Sequence, residues 1–485
     1  MLTLVVVHAF SQGRKTTRER DLHARKVLVT GGFTPLGLTL LQSLAQRGAH
    51  IIALSPEPLE SSRTSILVDL LRTTTSNENI FAEYCDLTSP GSIRAFCTKF
   101  LTGEDTRIDA IVYAHEYQHV GPFKFFSRWS QASIEAWAEQ RESSSLATFL
   151  MTTLLLPALL VAPVERDIRI ITVVNRFYAA AIAAHIRRAF SPSFTLYTAT
   201  PPSTSLQSTK AKPQKKHSVF LSEGVRSLRT IILTRHLQRI LDSLPHAQVP
   251  KTDERTSTVP VVSAKAQRSN IVSVSVSPGI SRTDTIAPLL NGDWTLGRSN
   301  RSSVGVIFYI ILQPILRIFA KSPMSSIQTV LHSLFLPTPF KIVYKPADPN
   351  PSTPSSSSNN PKRSPDDDPI EVLKPGALYA ECAVVNLDLS KVVIESAPDT
   401  SDETKPKSKK EKGKEKEKAS GQGLQEEVLE IEDDGELGGE VLGRRVWEAY
   451  EDALKAWEKA DPSPPPPPSP PHKVETPAPS SAAAS

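Results

Sequence analysis

The chain has 485 residues, a formal net charge of +5 and forty prolines, and its C-terminal third contains long serine-, lysine- and glutamate-rich tracts. The length would accommodate two or more domains, but those tracts carry too few apolar residues to build a core. The net charge is small for this size, which excludes nucleic acid as an expected partner. Three widely spaced cysteines provide neither a disulfide framework nor a zinc-ligand spacing, so a reducing, cytoplasmic environment and no metal are expected.

Residues 1–21 are expected to form a leader outside the core. The first ten residues, MLTLVVVHAF, are apolar but lack the basic start and the cleavage site of a signal peptide. Three explanations of this stretch stay open: a weak anchor, an isolated strand, or the product of a misplaced start codon. No uninterrupted apolar run reaches the roughly 18 residues that a membrane-spanning helix needs.

The segment 26–54 predicts a strand, a glycine turn, a helix and a second strand. A β-branched apolar run ends at Thr30-Gly31-Gly32, and apolar residues at helical spacing follow over 36–45. Such a turn brings backbone N–H groups and a helix N-terminus to one point, where a pyrophosphate can bind. The segment is therefore the expected first βαβ unit of a doubly wound sheet.

Predicted strands and helices alternate with short connections as far as residue 175. This alternation predicts an α/β protein in which a parallel sheet (a Rossmann fold) is covered by helices on both faces. The predicted helices cover 61–75, 93–101, 134–160 and 220–244, and further strands cover 79–84, 108–114, 168–174 and 270–276. A single domain over 22–391 is expected, with polar, disordered insertions at 201–217, 245–269 and 348–368.

The apolar window 304–320 has two interpretations. It predicts a packing or substrate-lid helix broken at Pro314, or a segment that lies on a membrane surface. A helix over 325–335 and a strand over 376–387 are expected to complete the domain.

The chain is expected to end in two disordered segments on either side of a helix. The charged run 392–438 and the proline-rich tail 461–485 have the composition of disordered chain. Between them, 439–460 predicts a helix that docks on the domain. Its apolar stripe consists of Val441, Val446, Trp447, Tyr450, Leu454 and Trp457.

The ordered series of segments resembles the short-chain dehydrogenase/reductase family, in particular its retinol-dehydrogenase-like branch. The resemblance covers 22–390 and rests on KVLVTGGFTPLG, NIFAEYCDLTSPGSIRAFCTKF, FLMTTLLLPALL, ILTRHLQRIL, VSVSPGISRTDT and GALYAECAVV. It implies an NAD- or NADP-dependent oxidoreductase that acts on a lipophilic alcohol or ketone. FLMTTLLLPALL resembles the helix that pairs subunits in many relatives, which implies a homodimer.

The resemblance also implies a cofactor site at the carboxyl ends of the strands. The implied cofactor-binding residues are Thr30, Gly31, Gly32, Gly37, Asp86, Leu87, Ala114, His115, Pro278 and Gly279. Pro35 replaces the middle glycine of the turn and lacks an N–H, which is expected to alter the approach of a phosphate. The family's Asn-Asn-Ala-Gly is replaced by bulkier residues at 113–116. Neither an acid nor an arginine follows the second strand at Ser55-Pro56, so NAD and NADP both stay open.

The family's catalytic residues do not carry over. The family uses a tyrosine acid with a lysine four residues later, a serine that polarises the carbonyl, and an asparagine that anchors a proton-relay water. None of the nine tyrosines here has a lysine four positions on. The four positions align with Glu223, Ser227, Asn175 and Ser144, in that order.

Two functions therefore stay open. One is an oxidoreductase with rebuilt acid/base groups, for which Tyr178, Tyr197 and Glu223 are the catalytic candidates. Glu223 would qualify if burial raised its pKa toward neutrality. The other is a catalytically silent Rossmann module that serves as a binding or scaffold protein. A peripheral membrane contact through 304–320 would place either protein on the cytosolic face of the endoplasmic reticulum or on lipid droplets.

Overall fold

The computed structural model describes most of the predicted domain and the C-terminal helix. The described residues are 2–58, 61–126, 130–163, 166–182, 218–248, 269–292, 302–338, 371–387 and 435–461. The predicted insertions 201–217 and 348–368, most of 245–269 and 392–438, and the tail after Asp461 lie outside them.

Eight strands form one sheet in the order β3-β2-β1-β4-β5-β6-β7-β8. The strands are β1 (Lys26–Thr30), β2 (His50–Ser55), β3 (Ile80–Tyr84), β4 (Ala110–Tyr113), β5 (Ile168–Val173), β6 (Ile271–Ser277), β7 (Leu378–Ala380) and β8 (Ala383–Val385). Neighbouring strands are parallel through β7, and β8 is antiparallel to it. The central strands are buried on both faces, which explains their continuous apolar runs. This is the doubly wound order, so the expected fold class is confirmed.

Helices cover both faces of the sheet. The helices are α1 (Leu2–Gln12), α2 (Pro35–Ala45), α3 (Ser62–Thr75), α4 (Pro90–Leu101), α5 (Gln131–Leu160), α6 (Val219–Gln248), α7 (Ser303–Phe319), α8 (Pro323–Ser326), α9 (Gln328–Phe335) and α10 (Gly439–Ala460). One apolar core joins α2, α3 and α9 to the sheet, and the other joins α4, α5, α6 and α10 to the opposite face. Helices α1 and α7 belong to neither apolar core. Hydroxyl side chains begin several helices because they accept a backbone N–H of the first turn, as Thr34 does from Gly37 N at 3.1 Å.

Three predicted elements differ from the structure. Helix α7 continues through Pro314 instead of breaking there. The helix expected over 325–335 is two short helices, α8 and α9. The strand expected over 376–387 is a hairpin, because Glu381 and Cys382 both adopt positive φ, the geometry of a tight two-residue turn.

The C-terminal helix α10 packs on α5 and α6, where Trp447 and Tyr450 contact Phe149. The predicted apolar stripe included Val441, but Val441 is 55% exposed, and the neighbouring Leu442 is buried instead. Thus the face of α5 that contains Phe149 is covered from within the chain.

Helix α5 is, within the described residues, the one helix long and apolar enough to cross a bilayer. In its C-terminal half, apolar side chains from Leu146 to Leu159 are buried against α4, α6, α10 and the sheet. This is the packing of a core helix.

Candidate functional site

The glycine turn after β1 is closed by contacts that only glycine permits. Gly31 has φ +65°, and a Cβ there would lie 2.7 Å from the backbone N of His115. A Cβ on Gly37 would lie 2.1 Å from the carbonyl oxygen of Gly31. Pro35 occupies the first position of α2, where its fixed φ suits the helix and its missing N–H breaks no helical bond. The turn is therefore compatible with Pro35.

The N-terminus of α2 already holds an anion from the chain itself. The backbone N–H of Leu36 donates to Oδ1 of Asp284 at 3.3 Å, and that carboxyl group is buried. Thr283 Oγ1 donates to the other carboxylate oxygen at 2.7 Å. Here the Asp284 carboxylate stands in for an anionic ligand, since backbone N–H groups at a helix N-terminus favour carboxylates and phosphates alike.

His115 fills the space between the turn and α5. Its Nε2 lies 2.9 Å from the carbonyl oxygen of Ser144, and its Nδ1 lies 2.7 Å from Thr30 Oγ1. A carbonyl only accepts, so Nε2 carries the proton and Nδ1 accepts from the threonine. Burial, with a smaller effect of Arg226, lowers the pKa of His115 to about 4. The imidazole is therefore neutral at pH 7 and is bound to the residue that aligns with the family's relay asparagine.

Glu116 is a buried carboxyl group that the sequence did not single out as a catalytic candidate. Thr148 Oγ1 donates to its Oε1, and Thr230 Oγ1 donates to its Oε2 at 2.8 Å. Burial raises the pKa of Glu116, although Arg226 and the two threonines act in the opposite direction. Burial therefore favours the protonated form of this carboxyl group more than water would. It follows His115 at the carboxyl end of β4, beside the glycine turn.

A hydrogen-bond chain runs from Glu116 to the C-terminal helix. Thr230 Oγ1 lies 3.4 Å from Ser145 Oγ, which lies 2.5 Å from the hydroxyl group of Tyr450. Burial raises the pKa of Tyr450 to about 12, so this phenol stays neutral.

Glu223, at the position of the family's tyrosine, is the centre of a buried ionic cluster. Arg141 Nε donates to its Oε1 at 2.7 Å, and Arg226 donates to its Oε2 at 2.8 Å. The backbone N–H of Val120 also donates to Oε1 at 3.2 Å. Burial would raise the pKa of Glu223, but Arg226, His119 and Arg141 together lower it. Glu223 is therefore an ionised carboxylate, the opposite of the protonated acid that the sequence suggested.

Tyr178 and Tyr197 are the remaining catalytic candidates. Tyr178 is buried in the apolar core, and burial raises its pKa. Tyr197 lies outside the described residues. The residues at the family's serine and lysine positions do meet, because Asn175 N donates to Ser227 Oγ at 3.2 Å. No phenol–ammonium pair results from this contact.

Most of the implied cofactor residues lie along one edge of the sheet. Thr30 ends β1, Asp86 and Leu87 follow β3, Ala114 follows β4, and Pro278 and Gly279 follow β6. Two of these segments are linked directly, since the Tyr117 hydroxyl donates to the carbonyl oxygen of Gly279 at 3.0 Å. Asp86 accepts from the N–H and the hydroxyl of Thr88 at 2.9 and 2.8 Å, which fixes the turn after β3.

A doubly wound parallel sheet with a glycine turn at its first βα connection defines a Rossmann-type protein. Residues 26–128 match the family model described as KR domain. The uncharacterised oxidoreductase YNL181W of Saccharomyces cerevisiae is 26% identical over 341 residues, 70% of this chain and 74% of that protein. The uncharacterised oxidoreductase pbr1 of Schizosaccharomyces pombe is 29% identical over 170 residues, 35% of this chain and 44% of that protein.

A human relative carries the family name. Human dehydrogenase/reductase SDR family member 13 is 31% identical over 139 residues, which are 29% of this chain and 33% of that protein. The chain is thus similar to members of the short-chain dehydrogenase/reductase family of oxidoreductases. Among solved structures, a short-chain dehydrogenase from Sphingobium yanoikuyae in complex with NADPH aligns with 62% of this chain and 87% of its own, at 15% identity and a TM-score of 0.34.

Proposed function

We propose that this protein is an NAD- or NADP-dependent oxidoreductase that acts on a lipophilic alcohol or ketone. The observation that carries the proposal is the anion held at the N-terminus of α2 by Leu36 N–H. A pyrophosphate oxygen has the charge and acceptor character of the Asp284 carboxylate, so the residues of the turn fit such a group. Cofactor binding would then require Asp284 to leave this N–H or to share it.

The cofactor, when bound, supplies the hydride of the reaction. The residues that would hold it are those of the turn, 30–37, together with Asp86 and Gly279. The chain must then supply or remove one proton at the substrate oxygen. Glu116 is the group suited to this role, because burial raises the pKa of its carboxyl group. Thr148 and His115 lie along the path that this proton would take, and His115 Nε2 is 3.3 Å from Thr148 Oγ1.

Turnover with a panel of hydrophobic ketones and alcohols tests this proposal. The purified chain should change nicotinamide absorbance with at least one of them, and Glu116→Gln should lower kcat by a hundredfold or more, the usual range for a general acid or base. Glu223→Gln, compared at a temperature where both variants are folded, should keep a kcat within about tenfold of the parent, because Glu223 holds no proton to transfer. The absence of turnover across the panel would contradict the proposal.

A second function, a catalytically silent scaffold, is favoured by one observation. At the position of the family's catalytic tyrosine, the carboxylate of Glu223 is bound by Arg141 and Arg226. The position of the family's lysine is occupied by Ser227. A scaffold of this kind would bind cofactor without turnover and recruit partners through its tail. Removing 462–485, which leaves α10 intact, should then abolish partner capture while cofactor binding persists. Capture that survives this deletion would argue against the scaffold.

A further inference from the structure

Helices α1 and α7 expose apolar side chains along their whole length. On α1, every residue from Thr3 to Phe10 is exposed, and Phe10 is 82% exposed. On α7, Ile307, Ile311 and Phe319 are each more than half exposed, whereas Gly305 and Leu316 alone are buried. Soluble proteins seldom leave so much contiguous apolar surface in water. The packing-helix interpretation of 304–320 therefore does not account for its environment.

The two helices are held together by polar contacts at their C-terminal ends. Ser11 Oγ donates to the carbonyl oxygen of Ile318 at 2.5 Å, and Gln12 Nε2 donates to that of Ala320 at 3.1 Å. Gln12 Oε1 in turn accepts from Ser322 N at 3.1 Å. Helices α1 and α7 therefore form one unit, called here the two-helix platform.

The residue composition of the platform suits contact with lipid on more than one face of each helix. Helix α1 has no aspartate, glutamate, lysine or arginine, and the one charged residue of α7 is Arg317 in its last turn. Apolar side chains that are exposed over most of both helices favour an apolar solvent, whereas a protein groove covers only one face of a helix. Arg317 lies where its long side chain can reach headgroups.

As described, both helices are shorter than a typical transmembrane helix. At about 1.5 Å per residue, 11 residues for α1 and 17 for α7 fall short of the roughly 30 Å hydrocarbon core. Both helices can instead lie in the interfacial layer. The segment after α1 carries exposed Arg14 and Lys15, which complement anionic lipid headgroups.

We propose that the two-helix platform docks the protein on one leaflet of a lipid bilayer, with both helices embedded in the interface. The platform lies beside the candidate site, because the Tyr309 hydroxyl donates to the carbonyl oxygen of Arg282 at 3.2 Å. A lipophilic substrate would then enter from the bilayer, a consequence that rests on the proposed function. The docking itself requires neither cofactor nor turnover. The endoplasmic reticulum and lipid droplets stay the predicted locations.

Flotation of the full chain with phosphatidylcholine vesicles, with and without phosphatidylserine, tests the docking. One variant carries Val5→Glu and Phe10→Glu on α1, and a second carries Ile307→Glu and Ile311→Glu on α7. The matched control carries Ile66→Glu and Leu70→Glu, two exposed apolar positions one turn apart on α3, away from the platform. All the substituted side chains are exposed, so melting temperatures should stay close to that of the parent.

The parent and the α3 control should float with the vesicles, more strongly when phosphatidylserine is present and salt is low. Each platform variant should bind more than ~tenfold less. A parent that stays in the soluble fraction at low salt would overturn the proposal, and so would platform variants that float like the parent. A lipid-independent dimer that the platform substitutions dissociate, without flotation, would assign the surface to a second copy instead. Flotation without turnover would leave docking intact while the proposed function failed.

Discussion

Replacing Glu223 with glutamine separates a structural ion from a catalytic acid. Glu223 is fully buried and accepts from Arg141, Arg226 and the Val120 N–H, so Glu223→Gln leaves two buried guanidinium groups without their carboxylate. Removing one partner of a buried ion pair costs about 3–5 kcal/mol. In a domain of this size each kcal/mol corresponds to roughly 2 °C, so the melting temperature should fall by about 6–10 °C.

The assay is thermal unfolding of parent and variant over a pH series, with Glu83→Gln as control. Glu83 pairs with Lys99 at the surface, at 2.7 Å, and such pairs contribute under about 1 kcal/mol. The folded-state pKa of Glu223 is lowered, so its stabilisation is complete above its unfolded pKa near 4.3 and is lost as the pH falls through the lower folded value. The parent–variant difference should therefore be largest at neutral pH and shrink below about pH 4. Equal melting temperatures at pH 7 would refute the assignment of Glu223 as a structural ion.

Three further substitutions test other parts of the site and fold. Glu116→Gln should leave the free energy of unfolding unchanged or raise it at neutral pH. The pKa of Glu116 is raised in the folded state, so ionising this group above its unfolded pKa destabilises the fold. Urea unfolding at pH 5 and pH 8 measures the effect, and a loss of stability at pH 8 would speak against a raised pKa. Asp284→Asn should tighten NADPH binding about tenfold, because it removes a competing negative charge from the N-terminus of α2. Nicotinamide fluorescence measures this binding. Weaker binding by the variant would mean that Asp284 assists the cofactor. Trp457→Ala should cost about 3–5 kcal/mol because the indole is buried between α10 and the domain, whereas exposed Val441→Ala should cost little in the same urea titration.

Local patterns in the sequence predicted the sheet well and the site poorly, for a physical reason. A buried parallel strand such as Ile168–Val173 shows as a continuous β-branched run, and the glycine turn shows in its residue types. By contrast, the bond from Leu36 N–H to Asp284 joins residues 248 positions apart. The burial that raises the pKa of Glu116 also comes from distant segments, and Arg141, which helps to lower the pKa of Glu223, lies 82 positions before it.

Two smaller differences have local causes. The hairpin of β7 and β8 turns on Glu381 and Cys382, which carry no glycine or asparagine signal for positive φ. Helix α10 buries Leu442 instead of Val441, a shift of one residue that periodicity alone does not resolve. A better signal for Glu116 was present: an acid three residues after the buried strand β4, at the edge where Rossmann-type proteins bind ligands.

Cofactor titration tests the central claim, a nicotinamide dinucleotide site at the glycine turn, most directly. NADH and NADPH are titrated into the full chain, and nicotinamide fluorescence and melting temperature are followed, since a ligand specific for the folded state must raise the latter. The matched variants are Gly37→Ala, whose Cβ would meet the Gly31 carbonyl oxygen at 2.1 Å, and Gly103→Ala, whose nearest contact is 3.3 Å. The account predicts that one dinucleotide binds the parent and Gly103→Ala and that Gly37→Ala loses this binding. Failure of both dinucleotides to bind the parent at millimolar concentration would contradict it.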